Sequence, residues 1–290
     1  MHHLPLLLVL PLATCLSLPR VVFSDCDGTM LAPDHRLTER TRATLRRLVA
    51  AGIPVVPATG RARAGPWTEH VLTEPALKDG KPGIYMNGCS VFVDESDSVD
   101  SSTLPASVVE ATLAFCASEG VTAVVYSCDE ALVDTDNALT IRLVGVGDAP
   151  VRRVDDLNAA CENVGKMLLL FDDGLDSTAL RRSLASVVDD RAGITQALSW
   201  MLEVVPLGVN KATAAKRLLE QWGIAPEEAM AIGDGENDAE LLRFVGLGVA
   251  MGNGAAAAKE AAQYVVPSND EEGFSVAMET HVLSKMGESS

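Results

Sequence analysis

The chain has 290 residues, 48% of them apolar, and a formal net charge of −17 at pH 7. That length allows one or two domains with a sizeable core. The acidity excludes nucleic acid as a partner, because binding a phosphate backbone requires a positive surface, and any anionic substrate must meet local positive charge or a metal ion. The six cysteines, Cys15, Cys26, Cys89, Cys116, Cys128 and Cys161, lack the paired spacing of a zinc site or disulfide framework and read as small buried hydrophobes.

Residues 4–18 form an uncharged, leucine-rich run interrupted by Pro5 and Pro11. It is too short for a stable membrane span and is similar to the apolar region of a secretory signal, although no Lys or Arg precedes it. Residues 1–19 are therefore read as a candidate targeting leader outside the fold. If it acts as one, the protein is secreted or organellar; if not, it is cytoplasmic.

The fold begins with Val21-Val22-Phe23, an apolar run that leads through Ser24 into Asp25-Cys26-Asp27-Gly28-Thr29. Strand side chains alternate faces, so Asp25 and Asp27 point to the same side if extended backbone continues that far. Two carboxylates so placed raise each other's pKa unless a cation lies between them. A hard divalent ion is the simplest remedy, and Mg²⁺ suits a shell that a phosphate completes. The plain alternative is a polar turn with Gly28 at positive φ.

Thr38 then offers a helix N-cap, Leu45, Leu48 and Val49 recur at helical spacing, and Gly52 stands where a closing glycine belongs. Ile53–Ala58 reads as a second strand reached by a right-handed crossover. It too ends in polar groups, Thr59-Gly60-Arg61, where a hydroxyl and free N–H groups can hold a phosphoryl oxygen. Pro57 is anomalous there, because it lacks a ladder donor. Gly83–Gly88 reads as a third short strand with Asn87-Gly88 as its turn.

From Val91 the texture changes. Val91–Val93, Thr122–Tyr126, Ala131–Asp134, Lys166–Phe171 and Ser199–Val204 read as strands, with helices over Ala106–Ser118 and Ser177–Val188. No catalytic constellation appears among them. Residues 91–204 are taken as an inserted α+β domain that covers and selects, while 20–90 and 205–290 form the core.

The first texture returns at Gly208-Val209-Asn210-Lys211, ahead of a helix over Ala212–Trp222 that Gly223 closes. A lysine at a helix's amino end opposes the macrodipole, so an anionic ligand is expected for Lys211. The strand Ala229–Ile232 ends in Gly233-Asp234-Gly235-Glu236-Asn237-Asp238. Three acids and an amide there are costly unless they bind something, and a metal ion is the natural candidate. Strands over Leu247–Met251 and Tyr264–Val266, separated by the helix Ala255–Ala262, complete the chain. Alternating strands and helices predict the α/β class, a Rossmann-like, doubly wound parallel sheet with helices on both faces. Its ligand belongs at the carboxyl ends of the strands.

These motifs resemble those of the haloacid dehalogenase (HAD) superfamily of phosphohydrolases. Asp25–Thr29 is similar to its first motif, Thr59 to the second, Lys211 to the third and Gly233–Asp238 to the fourth, and the likeness runs from about Arg20 to Gly273. Within the superfamily the chain resembles the Cof-like sugar-phosphatase branch, whose α+β cap enters between the second and third motifs. Tyr85-Met86-Asn87-Gly88, Gly208–Lys211 and Ala250-Met251-Gly252-Asn253 are similar to that branch's lesser signatures. Cys26 departs from it, standing where a larger apolar residue is usual.

The resemblance implies a Mg²⁺-dependent phosphomonoester hydrolase of small phosphorylated metabolites, sugar phosphates foremost, working through an aspartyl-phosphate. It implies Asp25 as nucleophile and Asp27 as acid and then base. Thr59, Gly60 and Lys211 would surround the phosphoryl oxygens, with Arg61 and Asn87 as further members of that pocket. Mg²⁺ would be held by Asp25, the Asp27 backbone carbonyl and Asp234, with Asn237 and Asp238 orienting its shell. Two rivals are a phosphosugar mutase of the same fold, which must shield the intermediate from water, and a catalytically silent binding module. Loss of Asp25, Asp27, Lys211 or Asp234 would signal the second, and all four are present.

Overall fold

The computed structural model describes residues 18–286 except 66, 95, 97–98, 128–129 and 197. Residues 1–17 of the candidate leader, with Cys15, and also Cys128 lie outside the described residues. Strand β1 (Val21–Ser24) is buried at every position, as an apolar run without alternation requires. In α1 (Glu39–Ala50) the Thr38 side chain accepts the Thr41 N–H as N-cap, and Gly52 follows the helix at φ +78°. Leu45 and Leu48 face inward, whereas Val49, placed on the same face by its spacing, is 39% exposed. β2 (Val55–Pro57) returns parallel to β1. β3 (Gly83–Tyr85), β4 (Ser90–Phe92) and β5 (Val99–Ser101) form a small antiparallel sheet, bridged to the end of β2 through Ala58 and Ile84.

The chain then builds a second layer from α2 (Ala106–Glu119), β6 (Thr122–Ser127), β7 (Glu130–Val133), α3 (Ala138–Gly145), β8 (Val151–Arg153) and α4 (Leu157–Ala160). β9 (Val164–Leu170), α5 (Ser177–Val188), β10 (Ala192–Thr195) and β11 (Met201–Pro206) complete it. The return to the first layer comprises α6 (Lys211–Trp222), β12 (Ala229–Gly233), α7 (Ala239–Phe244), β13 (Leu247–Met251), α8 (Ala256–Ala261), β14 (Tyr264–Val266) and α9 (Gly273–Met278).

The first layer is a parallel sheet in the order β14-β13-β12-β1-β2. Val22, Val55, Ile232 and Val249 pack with α1 and α9 on one face, and Val21, Phe23, Val56 and Ala231 with α6, α7 and α8 on the other. Alternate residues of each strand thus feed opposite helical layers, and the result is the Rossmann-like doubly wound α/β core. The second sheet has the order β10-β11-β9-β6-β7-β8. Its Val125, Met167, Leu169 and Leu202 are covered by α2 and α5. The opposite face, with Tyr126, Leu168, Met201 and Val205, turns toward the first layer and packs on Ala62, Met86 and Cys89.

Pro57 has a plain structural reason. β2 is the last strand of the parallel sheet, and the next residue, Ala58, donates its N–H to Ser24 on β1 at 2.8 Å. By alternation the Pro57 nitrogen points to the outer side, where it removes no bond to β1.

The change expected at Val91 comes later in space. Val91 belongs to the buried cluster that holds Val21, Phe23 and Ala215, and Phe92 to the one that holds Val22 and Tyr85. Antiparallel pairing of β4 with β3 and of β5 with β4 keeps the chain on the first layer to about residue 101. The sequence reading also passed over α3, β8 and β10. β8 carries two exposed arginines and β10 opens on Ala192-Gly193, so neighbouring strands rather than local propensity make them strands. Cys26, Cys89 and Cys116 are buried free thiols and Cys161 is partly exposed. Among the described residues no helix is long and apolar enough to cross a membrane.

Candidate active site

Two neighbouring strands, β1 and β12, carry the acidic groups, and α6 carries the cation between them. Asp25 follows β1 in extended backbone and is 7% exposed. Gly28 then turns at φ +70°, and a Cβ there would run into the Asp234 carboxylate. Glycine is what lets the loop after β1 close on the loop after β12.

Lys211, at the first position of α6, is fully buried and donates to Asp25 Oδ1 at 2.6 Å and Asp238 Oδ1 at 2.7 Å. The other Asp238 oxygen accepts the N–H groups of Asp234 and Gly235 at 3.0 and 2.8 Å. Two carboxylates therefore answer the unfavourable helix end. Burial alone would lower the Lys211 pKa, but Asp238 and Asp25 outweigh it and hold the ammonium charged. Burial raises Asp25 well above the carboxylate range; Lys211 opposes this, and Asp238, Asp234 and Asp27 add to it. Burial and then repulsion from Asp238 push Asp234 up to about 7, against a hydrogen bond from the Thr29 hydroxyl at 3.0 Å and the charge of Lys211.

Asp25, Asp234 and Asp238 each offer an oxygen within 4.8 Å of the others. Asp238 is already held by an ammonium group and two N–H donors. Asp25 and Asp234 are the pair whose charges lack full compensation, and a donor set of two crowded carboxylates fits a hard divalent cation. Asn253 sits beside them, its amide donating to the Gly28 carbonyl at 2.8 Å and lying 3.4 Å from Asp234 Oδ2.

Asp27 turns another way. Its carboxylate accepts Arg61 Nε and Nη2, each at 2.5 Å, and faces His35 Nδ1 at 2.8 Å. Burial would raise its pKa, but hydrogen bonds from Arg61 and His35, with their charges, prevail and bring it to about 2. Asp25 and Asp27 thus have different partners, although both line one cavity with Thr59, Gly60, Arg61 and Asp234.

Several expected phosphate and metal groups have other partners. Arg61 forks onto Asp27, and its remaining N–H groups donate to the backbone carbonyls of Val146, at 2.6 Å, and Gly147. It bridges the loop after β2 to the loop after α3. The Asn87 amide donates to Glu203 Oε2 at 2.7 Å and accepts from Asn237 Nδ2 at 2.9 Å, so neither amide joins the carboxylate pair. Thr59 is buried, with its hydroxyl accepting the Arg61 N–H at 3.1 Å. Lysine at position 61 would keep the charge but lose the fork. If Asp27 acts as acid and base, as the resemblance implies, Arg61→Lys is expected to lower kcat by about tenfold to hundredfold through misplacement of Asp27, as steady-state kinetics at saturating substrate will show; an unchanged kcat would remove this positioning role.

Among the residues of the cavity that escaped the sequence reading, two stand out. Lys166 in β9 and Glu203 in β11 are buried charges that line the same space. The signal was there: one lysine and one glutamate, each alone in an otherwise apolar strand. His35 gave none, lying in an ordinary polar loop.

A doubly wound core whose strand ends gather acids around a buried ammonium group, beneath a second sheet, defines a capped α/β enzyme of the carboxylate type. The family model described as haloacid dehalogenase-like hydrolase matches residues 22–278. The 5-amino-6-(5-phospho-D-ribitylamino)uracil phosphatase YitU of Bacillus subtilis is 30% identical over 271 residues, covering 88% of this chain and 94% of that protein. The chloroplastic endoribonuclease YBEY of Arabidopsis thaliana is 31% identical over 266 residues, covering 89% of this chain. The chain spans only 45% of that relative's length. Among solved structures, the HAD subclass IIB sugar phosphatase BT4131 matches with a TM-score of 0.78 at 26% identity, over 90% of this chain and 98% of that one. The chain belongs to the haloacid dehalogenase-like hydrolase family, in its Cof-like branch.

Proposed function

We propose that this HAD-type phosphatase hydrolyses the phosphate ester of a small phosphorylated metabolite, sugar phosphates foremost, with Mg²⁺ and through an aspartyl-phosphate on Asp25. The observation that carries the reading is the buried Lys211 ammonium, bonded to Asp25 at 2.6 Å with Asp234 beside it. It restrains a carboxyl group that lines the cavity, and its charge opposes the burial that raises that group's pKa, favouring the ionised form a nucleophile needs. The names of YitU and of BT4131, an uracil-derivative phosphatase and a sugar phosphatase, support the substrate class.

In the first step the Asp25 carboxylate attacks phosphorus, the ester P–O bond breaks, and Asp27 gives a proton to the departing alkoxide. In the second, Asp27 takes a proton from water as its oxygen attacks the same phosphorus and releases Asp25. At about 2, Asp27 is ionised at neutral pH, which suits the second step. A dianionic phosphoryl group placed next to it raises its pKa by repulsion, which suits the first. Thr59 and the N–H groups after β2 would hold phosphoryl oxygens where charge develops. Asp25 and Asp234, with the Asp27 backbone carbonyl, would hold Mg²⁺, which when bound neutralises the carboxylates and the phosphoryl oxygens. We assign the cap to about residues 102–206, a later start than the change of texture at Val91.

The test is release of inorganic phosphate from a panel of phosphate monoesters, with and without Mg²⁺. Mg²⁺-dependent release is expected; an isomerised ester in place of free phosphate would make the protein a mutase.

A pH effect follows from the same groups. The folded, metal-free protein keeps a proton on Asp234 up to about 7, whereas the unfolded chain loses it near 4. Protons bound in the folded state then exceed those in the unfolded state, so metal-free stability falls as pH rises between these values. A bound Mg²⁺ would take the place of that proton, and the rise in Tm on adding Mg²⁺ is expected to be larger at pH 8 than at pH 5. Calorimetry at the two pH values checks it, and a pH-independent rise would exclude Asp234 as the ligand.

A further inference from the structure

Across the cavity from Asp25 stand two buried charges of opposite sign. Lys166 and Glu203 are each 1% exposed, on the face of the second sheet that looks toward the first layer. The antiparallel register sets Glu203 opposite Leu168, which makes Lys166 its diagonal neighbour on the same face. Lys166 Nζ donates to the Gly60 carbonyl at 2.6 Å, lies 3.4 Å from Glu203 Oε2 and stands 4.7 Å over the Tyr126 ring. Glu203 Oε2 also accepts from Asn87. Glu203 Oε1 accepts no hydrogen bond among the described residues, and it lies 3.6 Å from where a Cβ on Gly60 would stand. Both side chains line the cavity of about 240 Å³ that contains Asp25, Asp27 and Thr59, and Val146, Trp200 and Met201 supply its apolar wall.

A buried ion pair is no better for stability than apolar residues of the same size, so stability does not account for this one. Its hydrogen bonding is also incomplete. An ammonium group has three donors and a carboxylate about four acceptor sites, and here Glu203 Oε1 accepts no hydrogen bond among the described residues while the third Lys166 donor meets only the Tyr126 ring. A hydroxyl answers both at once, accepting from Lys166 and donating to Glu203 through the same oxygen. Gly60 follows Thr59 directly, which puts that hydroxyl within a few bonds of the ester oxygen.

Resting on the phosphatase reading, we propose that Lys166 and Glu203 are the specificity-determining pair that binds a hydroxyl of the leaving group. The substrate is then a phosphate monoester of a polyol or sugar, in preference to one of a plain alkyl or aryl alcohol. The apolar wall meets the carbon side of such a group.

The experiment uses the full-length chain with Mg²⁺ and measures kcat/KM for three sets of esters. They are hydroxylated ones (ribose 5-phosphate, glucose 6-phosphate, sorbitol 6-phosphate), their singly deoxygenated analogues, and p-nitrophenyl phosphate. Wild-type protein is expected to lose about tenfold to hundredfold when the bound hydroxyl is removed, the effect of leaving a buried charged group without its partner. In Glu203→Gln and in Lys166→Met, the ratio of kcat/KM for the best hydroxylated ester to that for p-nitrophenyl phosphate is expected to fall by about tenfold or more. An equal fall for every ester makes the pair a support for Gly60 and Asn87, or a phosphoryl ligand, and overturns the proposal. So does a wild-type protein indifferent to deoxygenation at every position, a comparison that needs no variant to fold. Phosphate release from no ester at all, p-nitrophenyl phosphate included, overturns the phosphatase reading itself; release without hydroxyl discrimination overturns the role of the pair alone.

Discussion

Asp25→Asn is expected to reduce phosphate release by about ten-thousandfold or more, the scale seen when a nucleophile is removed from an otherwise intact site. The amide is nearly isosteric, so the binding surface and the fold persist. It cannot form an acyl phosphate by attack on phosphorus. A second consequence separates loss of chemistry from loss of structure. Burial and the neighbouring acids Asp238, Asp234 and Asp27 hold Asp25 well above the usual carboxylate range in spite of Lys211. The sign is that of a group that is costly when ionised in the folded state. Above about pH 4, where the unfolded chain ionises freely, the wild-type protein carries a penalty that asparagine lacks. The metal-free variant should therefore melt at a higher temperature than metal-free wild type, while Mg²⁺ raises its Tm less. Turnover within tenfold of wild type would remove the covalent mechanism.

Lys211→Met should be damaging in a different way. The side chain is fully buried and is the cation shared by Asp25 and Asp238. Methionine fills the space but leaves two carboxylates without their counter-charge. Removing one partner of a buried pair costs about 3–5 kcal/mol, because the charge left behind has neither water nor partner. Urea denaturation at pH 7.5 should show a loss of this size, together with loss of turnover. Adding Asp238→Asn to Lys211→Met removes one of the stranded charges, so the double variant should recover part of the stability and none of the activity. A single variant as stable as wild type would mean that Lys211 is not the electrostatic centre of the site.

Much of the core was legible because its signals are local. The caps at Thr38 and Gly52, the end of α6 at Gly223 and the start of α5 at Asp176 each depend on residues within one helical turn. The apolar runs of β1, β12 and β13 are buried on both faces, and a run without alternation has no other place in a soluble α/β fold. Placing Asp25, Thr59 and Asp234 at strand ends needed nothing more, and Lys211 at a helix start stood out as a charge on the wrong side of a dipole. The weak strands β8 and β10 were missed for the converse reason, since pairing partners decide them.

The sequence by itself determined that this chain is an α/β protein with acids at the carboxyl ends of its strands, because strand runs, caps and turn residues act over a few neighbouring positions. Only the tertiary structure decided which charges meet. The resemblance implies Arg61 as a further member of the phosphate pocket, yet its fork lies on Asp27 and on carbonyls of the loop after α3. Asn87 and Asn237 face each other, and Asn87 faces Glu203 from the second sheet. Lys166 and Glu203 become a pair through the register of β9 against β11. A side chain's partner is chosen by the distances that folding imposes on residues far apart along the chain, whereas local patterns fix only which backbone carries it.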